Sequence, residues 1–182
     1  LWTKNYGAVS VDDICEQAEI RKGSFYHFFP SKCALAVAAI QRYAAESKAG
    51  LDDTFSASRP PLDRLRRFCE TMHSAQAELC ESVGHVCGCP LVSLGSELTA
   101  VEGDVRDASV TLSQRMIAYF ESAVRDAIGQ GSVDASFDPV AKAEELNALV
   151  VGFVTQARVR NSVEPLLRLW PAMAANLGLR DG

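Results

Sequence analysis

The chain has 182 residues, 48% of them apolar, and a formal net charge of −5. That length allows one large domain, or a small domain joined to a larger one, with ample material for a core. No apolar run approaches the roughly 18–20 residues of a membrane-spanning helix, and an acidic chain does not coat nucleic acid indiscriminately.

The charge is unevenly placed. Six of the 18 Lys and Arg and five of the 23 Asp and Glu fall in residues 1–50, so the acidity belongs to 51–182. At the front, acids gather at Asp12, Asp13, Glu16 and Glu19, while 21–32 is basic. A small basic patch on an acidic body suits contact with phosphates at one place. The opening residues carry no secretory signal. A cytoplasmic protein with mostly reduced cysteines is therefore expected. The chain does not begin with Met, so residues ahead of Leu1 are expected in the natural protein.

Helical periodicity dominates and strand alternation is absent, which predicts an all-α fold. Ser10 reads as the N-cap of a short helix whose apolar face is Val11, Ile14, Cys15 and Ala18, with Asp12 and Asp13 in its first turn. After a break near Glu19 and Ile20 comes "RKGSFYHFFPSK", residues 21–32. This predicts a second short helix over about 22–29, ended by Pro30, which disfavours helix at the residue before it. Ser31 can cap a third helix over about 32–51. The breaker "ASRPP", 57–61, is the best domain boundary. Further helices are predicted over 62–84, 103–129, 139–160 and 163–177, the last with Pro171 as a kink. A shorter element is predicted over 86–98.

Two short helices, a brief turn and a longer helix make the helix-turn-helix plan. A helix of under three turns cannot stand alone in water and must be pinned by packing. Phe25, with Phe28 or Phe29, supplies the inward anchor. Lys22, Ser24, Tyr26 and His27 are left on the open side. There Arg21 or Lys22 can reach guanine O6 and N7, and Gly23 lets the backbone approach closely. Tyr26 and His27 can donate to phosphate oxygens, and Ser10, Ser31 and Lys32 can hold further phosphates at helix starts.

The run "SVDDICEQAEIRKGSFYHFFPSKCAL", residues 10–35, resembles the DNA-binding signature of the tetracycline-repressor (TetR) family of transcription factors. Ser10, Val11, Ile14, Ala18, Lys22, Gly23, Tyr26, Phe29, Ser31, Lys32 and Leu35 carry the likeness. Glu19 stands where Gly is frequent; if that turn needs a positive φ, Glu costs about 1 kcal/mol. Arg21 replaces a common Ser. Of the first family helix only Leu1, Trp2, Lys4 to Tyr6 and Gly7 remain.

The resemblance implies a three-helix DNA-binding domain over 1–50, its first helix cut short, and an effector-binding and dimerisation domain over 51–182. It implies a homodimer through the last two helices, with Val151, Val154, Val159, Leu169 and Trp170 as interface candidates, and a palindromic operator in double-stranded DNA. A small-molecule effector would sit among Phe68, Met72, His85, Leu91, Met116, Phe120 and Phe153. No Arg or Lys falls clearly on an inward face of these helices, so a large anionic effector is not indicated.

"CESVGHVCGCP", residues 80–90, leaves three readings open: buried structural thiols, a redox or electrophile sensor built on Cys80, Cys87 and Cys89 with His85, or a metal site from all four. "GCPLVSLGSEL" is similar to a run in several TetR-family members, some of which respond to reactive electrophiles. The zinc spacing C-x2-C is missing, so no metal is assigned. Cys15, Cys33 and Cys69 read as core. No phosphate loop, dinucleotide fingerprint or catalytic constellation appears, so neither a cofactor nor an enzyme is expected. The expected function is a ligand- or thiol-responsive DNA-binding regulator, most simply a repressor released by its effector. The alternative is a cysteine-based redox, electrophile or metal sensor that acts through protein contacts without DNA.

Overall fold

The computed structural model describes residues 6–89 and 103–179. Among these residues there are seven α-helices, two 3-10 turns and no strand. They group into two units: 6–46 with 103–112, and 47–89 with 113–179.

The first unit begins with a 3-10 turn, Tyr6–Ala8, followed by α1, Val11–Gln17. Ser10 caps α1 as its residue type predicts, and Asp13 completes a capping box. Asp13 N donates to Ser10 Oγ at 3.1 Å, and Ser10 N donates to Asp13 Oδ2 at 2.7 Å. Two orphan N–H groups of the helix start are thereby satisfied. The turn that follows places Glu19 at φ 53, the left-handed region that the sequence flags as costly for Glu. Ile20 N donates to Cys15 O at 2.9 Å and closes this turn.

Helix α2 is Lys22–Phe28, one residue shorter than predicted. Phe29 adopts φ −132 and ψ 114, the extended conformation imposed by the proline that follows. Helix α3, Lys32–Thr54, starts where Ser31 Oγ accepts from Ala34 N at 3.1 Å. Phe25 is 2% exposed and anchors α2. Cys33, Ala36 and Ile40 of α3 cluster with Val105, near the start of α5, Gly103–Gly129. Tyr6, Ala108 and Leu112 pack against that cluster.

The second unit holds the end of α3, then α4, Pro61–Val83, the rest of α5, and α6, Pro139–Arg160. A 3-10 turn, Glu164–Arg168, leads into α7, Leu169–Asn176. The predicted single helix over 163–177 is thus two pieces. The break at 168–169 puts Pro171 in the first turn of α7, where its missing N–H is tolerated. Gly84 ends α4 at φ 87, its N–H donating to Cys80 O, and Asn161 ends α6 at φ 48.

The core of this unit is a ring cluster of Phe55, Phe68 and Phe120, with Leu65, Leu146, Leu166, Leu169 and Met173 around it. Phe68 and Phe120 lie edge to face, their centroids 5.1 Å apart. Two expectations need correction. Val154 and Leu169, expected at a dimer face, are 1% and 0% exposed and belong to this core. Arg64 does fall inward, at 3% exposure. Its guanidinium donates to Asp126 Oδ2 at 2.6 Å, Arg59 O at 2.9 Å and Ala57 O at 3.3 Å. The helical pattern hid it, because Arg64 precedes Leu65 and reads as solvated. Each of its three nitrogens donates within the chain, and it belongs to no predicted effector position, so it does not alter the expectation about anionic effectors.

Candidate nucleic-acid interface and effector unit

Helix α2 buries one side chain and exposes the rest. Arg21, Lys22, Gly23, Ser24, Tyr26, His27 and Phe28 are all exposed, while Phe25 is buried and Phe29 is half-buried. Of the two partners offered for Phe25, the inward one is Phe29, with ring centroids 6.0 Å apart. Phe28 points out, 72% exposed, with the His27 ring 5.0 Å away. Tyr26 is 51% exposed and stands edge-on to Phe25 at 5.2 Å. An exposed Phe beside Tyr26 and His27 is what sequence reasoning missed. The i+3 and i+4 positions both allowed an anchor, and only the extended turn at Phe29 decides between them.

Gly23 is not demanded by the fold. A methyl built there meets nothing within 4 Å, and Gly inside a helix costs about 0.5–1 kcal/mol relative to Ala. The space in front of it is open for an external partner.

The cations behave differently from one another. Lys22 pairs with Asp12 of α1: its Nζ lies 2.7 Å from Oδ1 and 2.9 Å from Oδ2. The hydrogen-bonded Asp12 carboxylate holds the Lys22 ammonium above its ordinary range. Lys32, expected at a phosphate, is partly committed within the chain. Its Nζ donates to Tyr6 O at 2.8 Å and Val9 O at 2.7 Å, and lies 3.9 Å over the Tyr6 ring. Two of its three N–H groups are engaged internally, so it clasps the chain start onto α3. Ser10 Oγ donates to Asp13 Oδ2 at 2.6 Å, so this hydroxyl too is engaged within the protein. Ser31 is exposed, and its oxygen is the acceptor in its cap bond, which leaves the hydroxyl hydrogen to donate elsewhere.

In the second unit, the predicted effector residues divide by burial. Phe68 and Phe120 are in the ring cluster, and Met72, His85, Met116 and Phe153 are half-buried. Leu91 lies outside the described residues, as does most of the element predicted over 86–98. A cleft of about 260 Å³ opens elsewhere on this unit, lined by Arg59, Pro60, Asp63, Arg66, Arg67 and Glu70. It shares no residue with the predicted effector set.

The segment carrying Cys87 is fastened by side chains. Gln76, 7% exposed on α4, donates from Nε2 to Gly88 O at 3.2 Å and accepts at Oε1 from Gly88 N at 3.1 Å. Asn161 Oδ1 accepts from Val86 N at 2.9 Å. Cys87 is 1% exposed, with Sγ 3.9 Å from His85 Nε2. Burial pushes the Cys87 thiol up, against a smaller downward pull from Arg158. Burial thus opposes the thiolate form on which the sensor reading relies. Cys80 and Cys89 are half-buried. Cys15, Cys33 and Cys69 are buried as expected, and burial pushes Cys69 up to about 12. Among the described residues, no three His, Cys, Asp or Glu side chains are placed to hold a metal ion.

A reading helix pinned by one ring, its polar face open, with helices and turns alone among the described residues, is the arrangement of a helix-turn-helix transcription regulator. Comparison with known proteins agrees. Residues 1–39 match the family "Bacterial regulatory proteins, tetR family", and 61–173 match "Tetracyclin repressor-like, C-terminal domain". The transcriptional regulator AcuR of Cereibacter sphaeroides is 32% identical over 167 residues, covering 91% of this chain and 74% of that protein. The HTH-type transcriptional repressor NemR of Escherichia coli is 27% identical over 164 residues, covering 90% of this chain and 80% of that protein. Among solved structures, a regulatory protein TetR from Rhodobacter sphaeroides superposes with a TM-score of 0.84 at 30% identity, covering 94% of this chain and 89% of that one. The reduced form of E. coli NemR superposes with a TM-score of 0.79 at 27% identity, covering 93% and 86%. The chain belongs to the TetR family and is a DNA-binding transcription regulator.

Proposed function

We propose that the chain is a cytoplasmic, homodimeric repressor, not an enzyme, released from a palindromic operator by a small-molecule effector. Residues 1–50 act as the DNA-binding domain and 51–182 as the effector-binding and dimerisation domain. The observation that carries the reading is the face of α2: six exposed residues around a single buried Phe25. Such a face is open to an external partner and fits the major groove. Arg21 and Lys22 reach base edges, Tyr26, His27, Ser24 and Ser31 reach phosphates, and Gly23 allows close approach. Phe28 joins this list, offering its ring to thymine methyl groups or sugars. Two relatives, NemR of E. coli and DhaR of Mycobacterium, are transcriptional repressors, which favours repression here.

Dimerisation is supported by an exposed stripe along α6, Ala148, Val151, Gly152, Thr155 and Val159, with Leu167 exposed beyond it. A two-fold pair of reading helices calls for inverted half-sites about 34–36 Å apart. An effector releases the DNA only through a difference in its affinity for two shapes. Helix α5 contributes Val105 to the first core and Phe120 to the second, and α3 likewise runs through both units, so these two helices are elements through which a shift can be felt. Selection of duplexes from a random pool tests the reading. Enrichment of an inverted repeat with half-sites one turn apart is expected. Recovery of unselected sequence at low salt would overturn it.

A further inference from the structure

The Asp12–Lys22 pair spans two helices, and stability does not explain it. The side chains are 53% and 71% exposed for Lys22 and Asp12, and an exposed pair contributes only about 0–1 kcal/mol. Both carboxylate oxygens of Asp12 lie against one ammonium, at 2.7 and 2.9 Å. The neighbouring Asp13 has a different task, since its carboxylate closes the capping box with Ser10. Lys22 is the first residue of α2, the position that enters a groove foremost.

An unpaired ammonium there is drawn to phosphates, which carry full charges and no sequence information. A carboxylate at contact distance cancels that attraction and itself repels phosphate oxygens. It does not remove hydrogen-bonding capacity. Lys22 keeps a donor for guanine O6 or N7, and Asp12 keeps lone pairs for the cytosine N4 amino group. The pair is a neutral donor–acceptor head, matched to the mixed edge of a base pair and mismatched to the backbone. We propose that Asp12 is a specificity-determining positioning residue, which keeps Lys22 off phosphate and turns it to a G·C edge in the major groove.

This inference rests on the DNA-binding reading above, and its test separates the two. The 182-residue chain and its Asp12→Asn variant are titrated against the selected duplex, its single-base variants and an unrelated duplex, across a salt series. Asp12→Asn is expected to bind the unrelated duplex about 3–10-fold more tightly. Its plot of log affinity against log salt should steepen by about 0.9, as Lys22 takes one more phosphate. Discrimination at one G·C position should fall about tenfold. In a Lys22→Ala background, Asp12→Asn should no longer change base preference, because Asp12 acts through Lys22. An unchanged salt slope and base preference in Asp12→Asn, with the parent chain binding normally, would overturn the inference alone. A parent chain that ignores all duplexes would overturn the DNA-binding reading together with it.

Discussion

Gln76 holds the backbone of Gly88 from both sides, its amide N–H donating to the carbonyl and its amide oxygen accepting from the N–H. The two residues are twelve apart in sequence, and both are buried. Gly88 has φ 74, and a methyl added there would lie 3.3 Å from Arg158 Cδ and 3.7 Å from Val154 Cγ1. The strap that carries Cys87 is thus fixed by a side chain and by a residue without one.

Gln76→Leu keeps the volume and removes both bonds. Two hydrogen bonds to buried backbone groups are lost, at about 1–3 kcal/mol each. A loss of roughly 2–6 kcal/mol is expected in urea unfolding. Gly88→Ala should lose about 1–2 kcal/mol from its left-handed backbone, and more if Arg158 cannot give way.

Glu19→Gly should stabilise the chain. The position is already at φ 53, where Gly avoids a clash costing other residues about 1–2 kcal/mol, less the extra freedom Gly has when unfolded. A net gain of about 0.5–1 kcal/mol is expected, read as a higher midpoint of thermal unfolding.

Phe25 and Phe28 are three residues apart and should behave oppositely. Phe25→Ala opens a cavity at a 2% exposed site and should cost about 3–5 kcal/mol. Phe28→Ala, at a 72% exposed site, should change stability by less than about 0.5 kcal/mol and yet weaken operator binding. Denaturant midpoints and binding isotherms on the same preparations check both.

Thiol alkylation should follow burial and acidity. The thiolate is the reactive form, so raising a thiol's pKa lowers its reactive fraction at neutral pH. Cys87 is raised by burial, and Cys69 is raised to about 12. Iodoacetamide at neutral pH, followed by peptide mass analysis, should label the half-buried Cys80 and Cys89 first. Cys87, Cys69, Cys15 and Cys33 should follow only slowly or after unfolding.

The reading helix was legible in the sequence because its spacing and caps are local. Ser10, Pro30 and Ser31 each mark a boundary that the backbone obeys within a residue. The details that were not legible are long-range and polar. Gln76 sits in an apolar stripe as an apparent exception, and nothing local says that Gly88 waits opposite it. Arg64 looks solvated until Asp126, sixty-two residues later, supplies its carboxylate. The Asp12–Lys22 pair crosses a turn whose shape depends on Glu19 accepting a positive φ. Val154 and Leu169 were misplaced because an apolar residue on the last two predicted helices fits a core and an interface equally well. Periodicity alone does not divide the two.

The central claim is that the open face of α2 binds duplex DNA. The most direct measurement is fluorescence anisotropy of a labelled inverted-repeat duplex, titrated with the chain and with its Tyr26→Ala and Gly23→Ala variants, alongside their unfolding midpoints. The account predicts that both variants bind at least about tenfold more weakly, with Tyr26→Ala close to the parent in stability and Gly23→Ala slightly more stable. Equal binding by all three proteins, with the duplex bound elsewhere on the chain, would contradict it.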